Sequence, residues 1–309
     1  MAPAPPTLET AATLTALTTE PWVESPFVEQ ILAEGGYDPQ IADLARRYHR
    51  DGYLILPDVL SADDADEVRT EAAGFGGPPP PGSDARRLQD LWRHCPGTRA
   101  LACHQGILDL LGLLYGRPAF PFQTLTFPVG TQQRNHSDTV HFSSLPARFM
   151  CGVWVALEDI EADMGPLFYY PGSHRLPEYT LYDLWQTVQT RNYSAYEDAL
   201  EQIVTAAGLE QHTLCVPKGT ALVWSSNLIH GGSPVLRNGV SRWSQVTHYF
   251  FDGCIYYTPM FSNPIAGQYA LREPVDIATG QVRANSWNGV PVAAHPIGDG
   301  RSIIDFGAP

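Results

Sequence analysis

Gly116-Arg117-Pro118-Ala119-Phe120-Pro121-Phe122-Gln123-Thr124-Leu125-Thr126-Phe127 is where the chain changes character. Before it, apolar residues recur at helical spacing; after it they fall into short β-rich runs separated by Gly and Pro. Working back, His104 to Tyr115 is apolar on most faces and predicts a helix, and Pro78 to Gly82 reads as a loop. Ser61 is placed to cap a helix whose first turn is acidic from Asp63. Tyr53 to Pro57 reads as a buried strand, preceded by a helix on Ile41, Leu44, Ala45 and Tyr48 that ends at Asp51-Gly52. Residues 1–25, rich in Ala, Pro and Thr, are expected to form a flexible arm. Working forward, strands are predicted over Pro118–Phe127, Thr139–Phe142, Phe149–Ala156, Leu167–Tyr170, Thr213–Val216, Ala221–Trp224 and Ser241–Phe251. A helical insertion, 181–207, interrupts them, and the tail 253–309 reads as long loops over the sheet. Helices over 38–115 followed by antiparallel strands over 116–252 predict an α+β, mostly β fold, a sandwich or jelly roll. One domain over 26–309 is expected, against the roughly two that length alone suggests.

Composition narrows the class. Hydrophobic residues make up 44% and charged residues 17%, which excludes a disordered or fibrous chain, and the 27 Gly and 27 Pro supply turns. Net charge is −14, with Lys218 the only lysine, so a nucleic-acid partner is not expected and a cationic or neutral ligand is favoured. Cys95, Cys103, Cys151, Cys215 and Cys254 are scattered and never spaced as CxxC, against both a disulfide framework and a thiolate zinc site. No apolar run reaches the ~18 residues of a membrane span, and Met1 to Glu20 has no secretory pattern. A reducing cytoplasm is the compartment these absences suggest; oligomeric state is not legible.

The stretch Asn135-His136-Ser137-Asp138 carries chemistry. On a strand, residues i and i+2 share a face, so His136 and Asp138 can hold one ion together. The competing reading is a surface turn with a local side-chain bond. A third ligand must come from elsewhere, and the best placed is His230, in Asn227-Leu228-Ile229-His230-Gly231-Gly232. Two imidazoles and a carboxylate on one side of an ion leave about three positions open, which suits non-haem Fe(II) binding a co-substrate together with O2. Arg242 follows in Ser241-Arg242-Trp243-Ser244, and a strand returning beside that of His230 would carry it toward the metal. A buried guanidinium needs an anion, and its planar fork matches a carboxylate. A dicarboxylate co-substrate could chelate iron at one end and pair with Arg242 at the other.

Several motifs in this order resemble the phytanoyl-CoA dioxygenase family of Fe(II)/2-oxoglutarate oxygenases. They are His136-x-Asp138, Trp154 in Cys151-Gly-Val-Trp-Val-Ala-Leu-Glu158, Gly165-Pro166-Leu167, Pro171-Gly172-Ser173-His174, His230-Gly231-Gly232 and Arg242-Trp243-Ser244, with Asp51-Gly52-Tyr53 to Asp58 similar to the family's opening strand. The likeness spans roughly residues 40–252. It implies a double-stranded β-helix with His136, Asp138 and His230 as iron ligands, and Arg242 gripping the far carboxylate of 2-oxoglutarate. Trp154 corresponds to a position lining the co-substrate pocket. Gly232 stands where some relatives carry a small hydroxyl residue, which leaves Ser244 to complete that pocket. The implied reaction uses O2 to decarboxylate 2-oxoglutarate to succinate and removes hydrogen from a substrate C–H bond. Hydroxylation is the default outcome; desaturation, cyclisation, epimerisation and oxidative deamination diverge after the same step. Halogenation is not expected, because Asp138 occupies the position a halide would need.

Further polar positions surround this set. Gln123, on the strand before the metal motif, and Gln133, three residues before His136, could bond 2-oxoglutarate or substrate; Thr124 and Thr126 take the opposite strand face from Gln123. His141 is expected to be a core or supporting histidine, His174 a turn residue rather than a substrate contact, His248 a core histidine, and Arg134 a solvated strand residue rather than a charge partner near the metal. Tyr179, Tyr182, Trp185, Tyr193, Tyr196, Tyr256, Tyr257, Phe261 and Trp287 either pack loops onto the barrel or form a substrate lid. With one lysine, a CoA thioester is a poor substrate, and a small free metabolite with amine or hydroxyl groups is preferred. Two other classes compete: a non-catalytic jelly-roll binding or sensing protein, and a cupin-like isomerase or hydrolase. Neither has a use for Arg242.

Overall fold

Helix ends form where their signals stand in the sequence. The computed structural model describes residues 19–76, 87–184, 192–287, 289–296 and 302–305. After α1 (Val28–Gly35), Asp38 accepts from the Gln40 amide to open α2 (Pro39–Asp51), and Gly52, at φ +80°, ends it. Gly52 also lies where an added Cβ would strike the ring of His174, so close approach as well as conformation demands glycine there. β1 (Tyr53–Leu56) follows, and the Ser61 hydroxyl caps α3 (Ala62–Ala73) by accepting from Asp64 N–H. Between β2 (Leu88–Gln89) and β3 (Ala119–Phe127) come α4 (Pro96–Ala102) and α5 (Gln105–Tyr115).

The remaining strands are β4 (Ser143–Leu145), β5 (Met150–Ala156), β6 (Leu167–Tyr169), β7 (His212–Thr213), β8 (Ala221–Ser225), β9 (His230–Gly232), β10 (Ser244–Phe251) and β11 (Ile255–Tyr257). A six-stranded antiparallel sheet runs β1-β8-β5-β10-β3-β2, and a three-stranded one runs β7-β6-β9. Period-2 alternation divides β10 between two environments. Gln245 and Tyr249 point to the helices and donate to the carbonyls of Thr98 and Ala102. Val246 points the other way, into a cluster with Trp154, Leu222 and Trp224 of the large sheet and Leu167 and Tyr169 of β6. The site lies on this inner side, between the sheets.

Three expectations change. Residues 139–142 are not a strand: a 3-10 turn over Asp138–Val140 bonds the His141 and Phe142 amides back to the Asp138 carbonyl. A local turn thus satisfies the amides that a ladder would otherwise pair. The tail is more ordered than loops alone, since β11 pairs with β4, and β12 (Gln268–Tyr269) joins a small sheet with β16 (Ser302–Asp305) and β15 (Ala293–Pro296). Two-residue strands β13 (Ser286–Trp287) and β14 (Val290–Pro291) form a separate pair. At the other end, residues 1–18 of the expected arm lie outside the described residues, as do 78–82 and Trp185. Residues 21–25 are packed: Trp22 and Val23 are fully buried, and Trp22 stacks on Tyr37 at 5.0 Å and donates to the Leu113 carbonyl. Burying a large apolar side chain contributes about 2–3 kcal/mol, which anchors this segment although it lacks periodicity. The insertion keeps its helix as α6 (Tyr193–Ala206). No helix among the described residues is long and apolar enough to cross a membrane.

Candidate metal and co-substrate site

His136 and His230 face each other across a single antiparallel bridge, the amide of each donating to the carbonyl of the other at 3.0 and 2.9 Å. The pairing sets their ring centroids 4.3 Å apart. In each ring Nδ1–H donates to the carbonyl two residues back, Arg134 for His136 and Leu228 for His230, both at 2.9 Å. These bonds fix the tautomers and leave Nε2 of each ring as a metal-binding lone pair. Asp138, at the start of the 3-10 turn, accepts from Trp224 Nε1–H at 2.8 Å through one carboxylate oxygen. One donor atom from each of His136, Asp138 and His230 lies within 4.8 Å of the other two, and all three residues are buried.

Protonation suits a cation. Burial, helped by His230, pulls His136 down to about 3. Burial pushes the Asp138 carboxyl up, but His248, His230 and His136 outweigh it and hold the group below the usual carboxylate range. A neutral His136 and an ionised Asp138 are the forms a divalent ion requires.

Arg242 stands in the same cavity, of roughly 180 Å³, only 3% exposed. Its Nη1 donates to Ser244 Oγ at 2.6 Å, while Nε has no hydrogen-bond partner. Burial pulls its pKa down to about 10, against the opposing effect of Glu158. That carboxylate is itself engaged by the Trp243 amide and the Ser241 hydroxyl. The rings of Phe127 and Trp154 lie 5.8 and 5.9 Å from the guanidinium, and the buried Trp154 Nε1 is also unpartnered. Buried charges and N–H groups are seldom left so. Three converging donors, two of them imidazoles of fixed tautomer, beside an unpaired guanidinium, fit a divalent metal and a carboxylate ligand together.

A profile of the phytanoyl-CoA dioxygenase (PhyH) family matches residues 48–242, from the end of α2 to Arg242. The chain belongs to the phytanoyl-CoA dioxygenase family. The dioxygenase is 25% identical, over 219 residues, to ectoine dioxygenase of Sphingopyxis alaskensis, covering 63% of this chain and 71% of that one. Its fold is similar to that of the non-haem α-ketoglutarate-dependent epimerase SnoN of nogalamycin biosynthesis (TM-score 0.53, 24% identity, 71% of this chain and 86% of that one). It is also similar to the carbocyclase SnoK of the same biosynthesis (0.57, 16%, 75% and 91%). As the sequence resemblance implies, this is an Fe(II)/2-oxoglutarate-dependent dioxygenase.

In the dioxygenase, Gln123, Gln133 and Trp154 line the cavity with the three donors, and Ser244 holds Arg242. Arg242 arrives differently from the sequence expectation. It precedes β10, which lies between β5 and β3 in the large sheet and not beside β9. His248 is more than a core residue: its Nδ1 is 3.1 Å from Gln123 Oε1 and its Nε2 3.6 Å from Asp138 Oδ2. His174 lies in its turn, 3.1 Å from the His49 carbonyl and outside the cavity. Gly232 is explained by crowding, since a Cβ there would sit 2.7 Å from Thr131 Oγ1 and 2.9 Å from the Gln132 amide.

Two kinds of residue escape sequence reasoning. Trp224 holds Asp138, and it can do so because Gly152 opposes it on β5; a Cβ at 152 would lie 2.3 Å from the indole. The inward phase of β8 was the signal for Trp224, and the glycine in an otherwise apolar strand was the signal for its partner. The second is the set of contacts made by α6, whose Tyr193 and Tyr196 the sequence offers only as loop packing or a lid. Its Glu197, Asp198 and Glu201 pair with Arg134, its Tyr196 hydroxyl meets the Ser137 amide and hydroxyl at 3.4 and 3.1 Å, and its Tyr193 hydroxyl lies 3.0 Å from His141 Nε2. Arg134 is thus exposed, as expected of a solvated strand residue, and it also pairs with the acidic face of α6. Only the distance between segments 134–141 and 193–201 kept this hidden.

Proposed function

We propose that this dioxygenase hydroxylates a C–H bond of a small-molecule metabolite, with Fe(II) held by His136, Asp138 and His230. Arg242, with Ser244 and Trp154 beside it, would pair with the far carboxylate of 2-oxoglutarate, whose other end would meet the metal. The observation that carries this reading is Arg242, buried without a carboxylate partner in the same cavity as the three donors. A bound iron would supply the activation of O2 needed to convert C–H to C–OH, with 2-oxoglutarate passing to succinate and CO2.

The chain's own residues orient and protect this chemistry. Arg134 and Leu228 carbonyls hold the two imidazoles by Nδ1–H, and Trp224 holds the Asp138 carboxylate. Phe127, Leu125, Leu167 and Val246 keep the cofactor end of the cavity apolar and limit water there. Gln123 and Gln133 offer hydrogen bonds to substrate or co-substrate. We read the two facing sheets as a double-stranded β-helix, or jelly roll, within a single domain over 26–309. Five unpaired cysteines accord with a reducing, cytoplasmic setting. A binding module would have no use for an unpaired guanidinium beside three metal donors.

Anaerobic mixing with Fe(II) and 2-oxoglutarate tests the reading. A weak visible charge-transfer band is expected in the wild type, lost in Asp138→Ala. No band, with no succinate on admitting air, overturns it.

A further inference from the structure

The cavity continues past the metal donors toward the edge strand β2. Leu88 pairs with Thr126 and Gln89 with Leu125, so Gln89 shares the inward face of Gln123, Leu125 and Phe127. Arg87 also lines the cavity and is exposed, which places it at the mouth. Besides the metal donors, the polar side chains of the lining include the amides of Gln89, Gln123 and Gln133, the Thr131 hydroxyl and the imidazoles of His141 and His248. Asp138 is the only carboxylate in the lining among the described residues, and Arg87 is the only cation there besides Arg242.

We propose that the substrate is a small molecule carrying a single carboxylate, and that Arg87 binds it. The proposal rests on the iron and 2-oxoglutarate reading above. In the loaded cavity the dication and Arg242 would balance Asp138 and doubly charged 2-oxoglutarate, and among the described lining residues the charge left over is that of Arg87. A carboxylate on the substrate cancels it through a charge-assisted, two-point hydrogen bond, with the amides as further donors. An ammonium group in the same place would meet no acidic side chain and would face a guanidinium. Arg272, the other guanidinium nearby, is not a rival: it lies behind Phe142, 4.7 Å from that ring, and donates to Thr258. The inference reverses what the net charge of −14 suggests, because the field inside a cleft is set by the groups lining it rather than by the whole chain.

Three probes of one shape and different charge test it: benzoate, benzamide and benzylamine. Each is titrated anaerobically into enzyme loaded with Fe(II) and saturating 2-oxoglutarate, reading the shift of the visible band and the rise in unfolding temperature. Benzoate is expected to bind about fivefold or more tighter than benzylamine, the scale of one charge-assisted bond at a partly open site. Arg87→Gln should bring the two within about twofold, and Arg87→Glu should reverse their order, with 2-oxoglutarate affinity unchanged in both. Probes that are indistinguishable, a tighter benzylamine, or a benzoate preference that survives Arg87→Glu each overturn the proposal. Loss of the starting band before any probe is added is a separate failure, that of the iron reading itself.

Discussion

Arg242 brings a charge into the interior without a carboxylate to meet it, and that has an energetic consequence before any ligand binds. Desolvating an ion costs several kcal/mol, and a well-packed apolar replacement is often neutral or stabilising by about 1–4 kcal/mol. Arg242→Met is therefore expected to raise the unfolding temperature of the cofactor-free protein while removing its response to 2-oxoglutarate. The wild type should gain about 2.7 kcal/mol at a hundredfold excess over Kd, and thermal unfolding with and without 2-oxoglutarate measures both effects. An unchanged response in the variant would refute the assignment. At this scale the sequence is most informative: the chemistry of His136, Asp138, His230 and Arg242 singles them out, and they line one cavity. The place of His248 is not legible there, because it lies in a 3.6 Å approach to Asp138 from a different segment, which no local pattern encodes.

Elements hold those side chains in place through one another. Helix α6 grips the stretch from Arg134 to His141 at three points, and from Ser137 the contacts run on through Thr139, at 2.7 Å, to Asn227, at 3.4 Å. Asn227 in turn donates to the carbonyls of His174 and Leu176 just ahead of the His230 strand. One polar chain thus reaches both halves of the donor set. Removing the Tyr196 hydroxyl leaves the Ser137 amide and hydroxyl short of a partner, and losses of this supporting kind cost about 10- to 100-fold in metal affinity. Tyr196→Phe is expected to weaken Co(II) binding, followed calorimetrically in the iron-free protein, by at least about tenfold while leaving circular dichroism unchanged. Wild-type affinity would show that α6 is only a cover. Strand and helix identities were legible from periodicity, as in α2, α5, β5 and β10. The turn at 138–140 was not, because Thr139-Val140-His141-Phe142 has the residues of a strand and takes its shape from bonds back to Asp138.

Across the whole molecule, the first described segment is tied to the barrel by Glu24. This carboxylate is buried, 3.2 Å from Arg148, which also binds Glu178 at 3.0 Å. Burial lifts Glu24 to about 7, only partly opposed by Arg148, from an ordinary 4.5. The folded state holds that proton more tightly than the unfolded chain. Its contribution is complete below about pH 4.5 and is lost as pH rises through 7. Between pH 5 and 8 the wild type should therefore lose about 2–3 kcal/mol that Glu24→Gln does not, as urea unfolding at the two pH values would record. Parallel behaviour of the two proteins would remove Glu24 from the account. This tie was invisible in a Pro- and Ala-rich stretch, since tertiary burial and not periodicity orders it. The backbone bridge between residues 136 and 230 acts over a similar span. Until that bridge forms, nothing on the backbone holds His230 beside His136 and Asp138. The bridge is in effect an interlock: iron able to react with oxygen is gripped only after the walls that contain the reaction have closed around it.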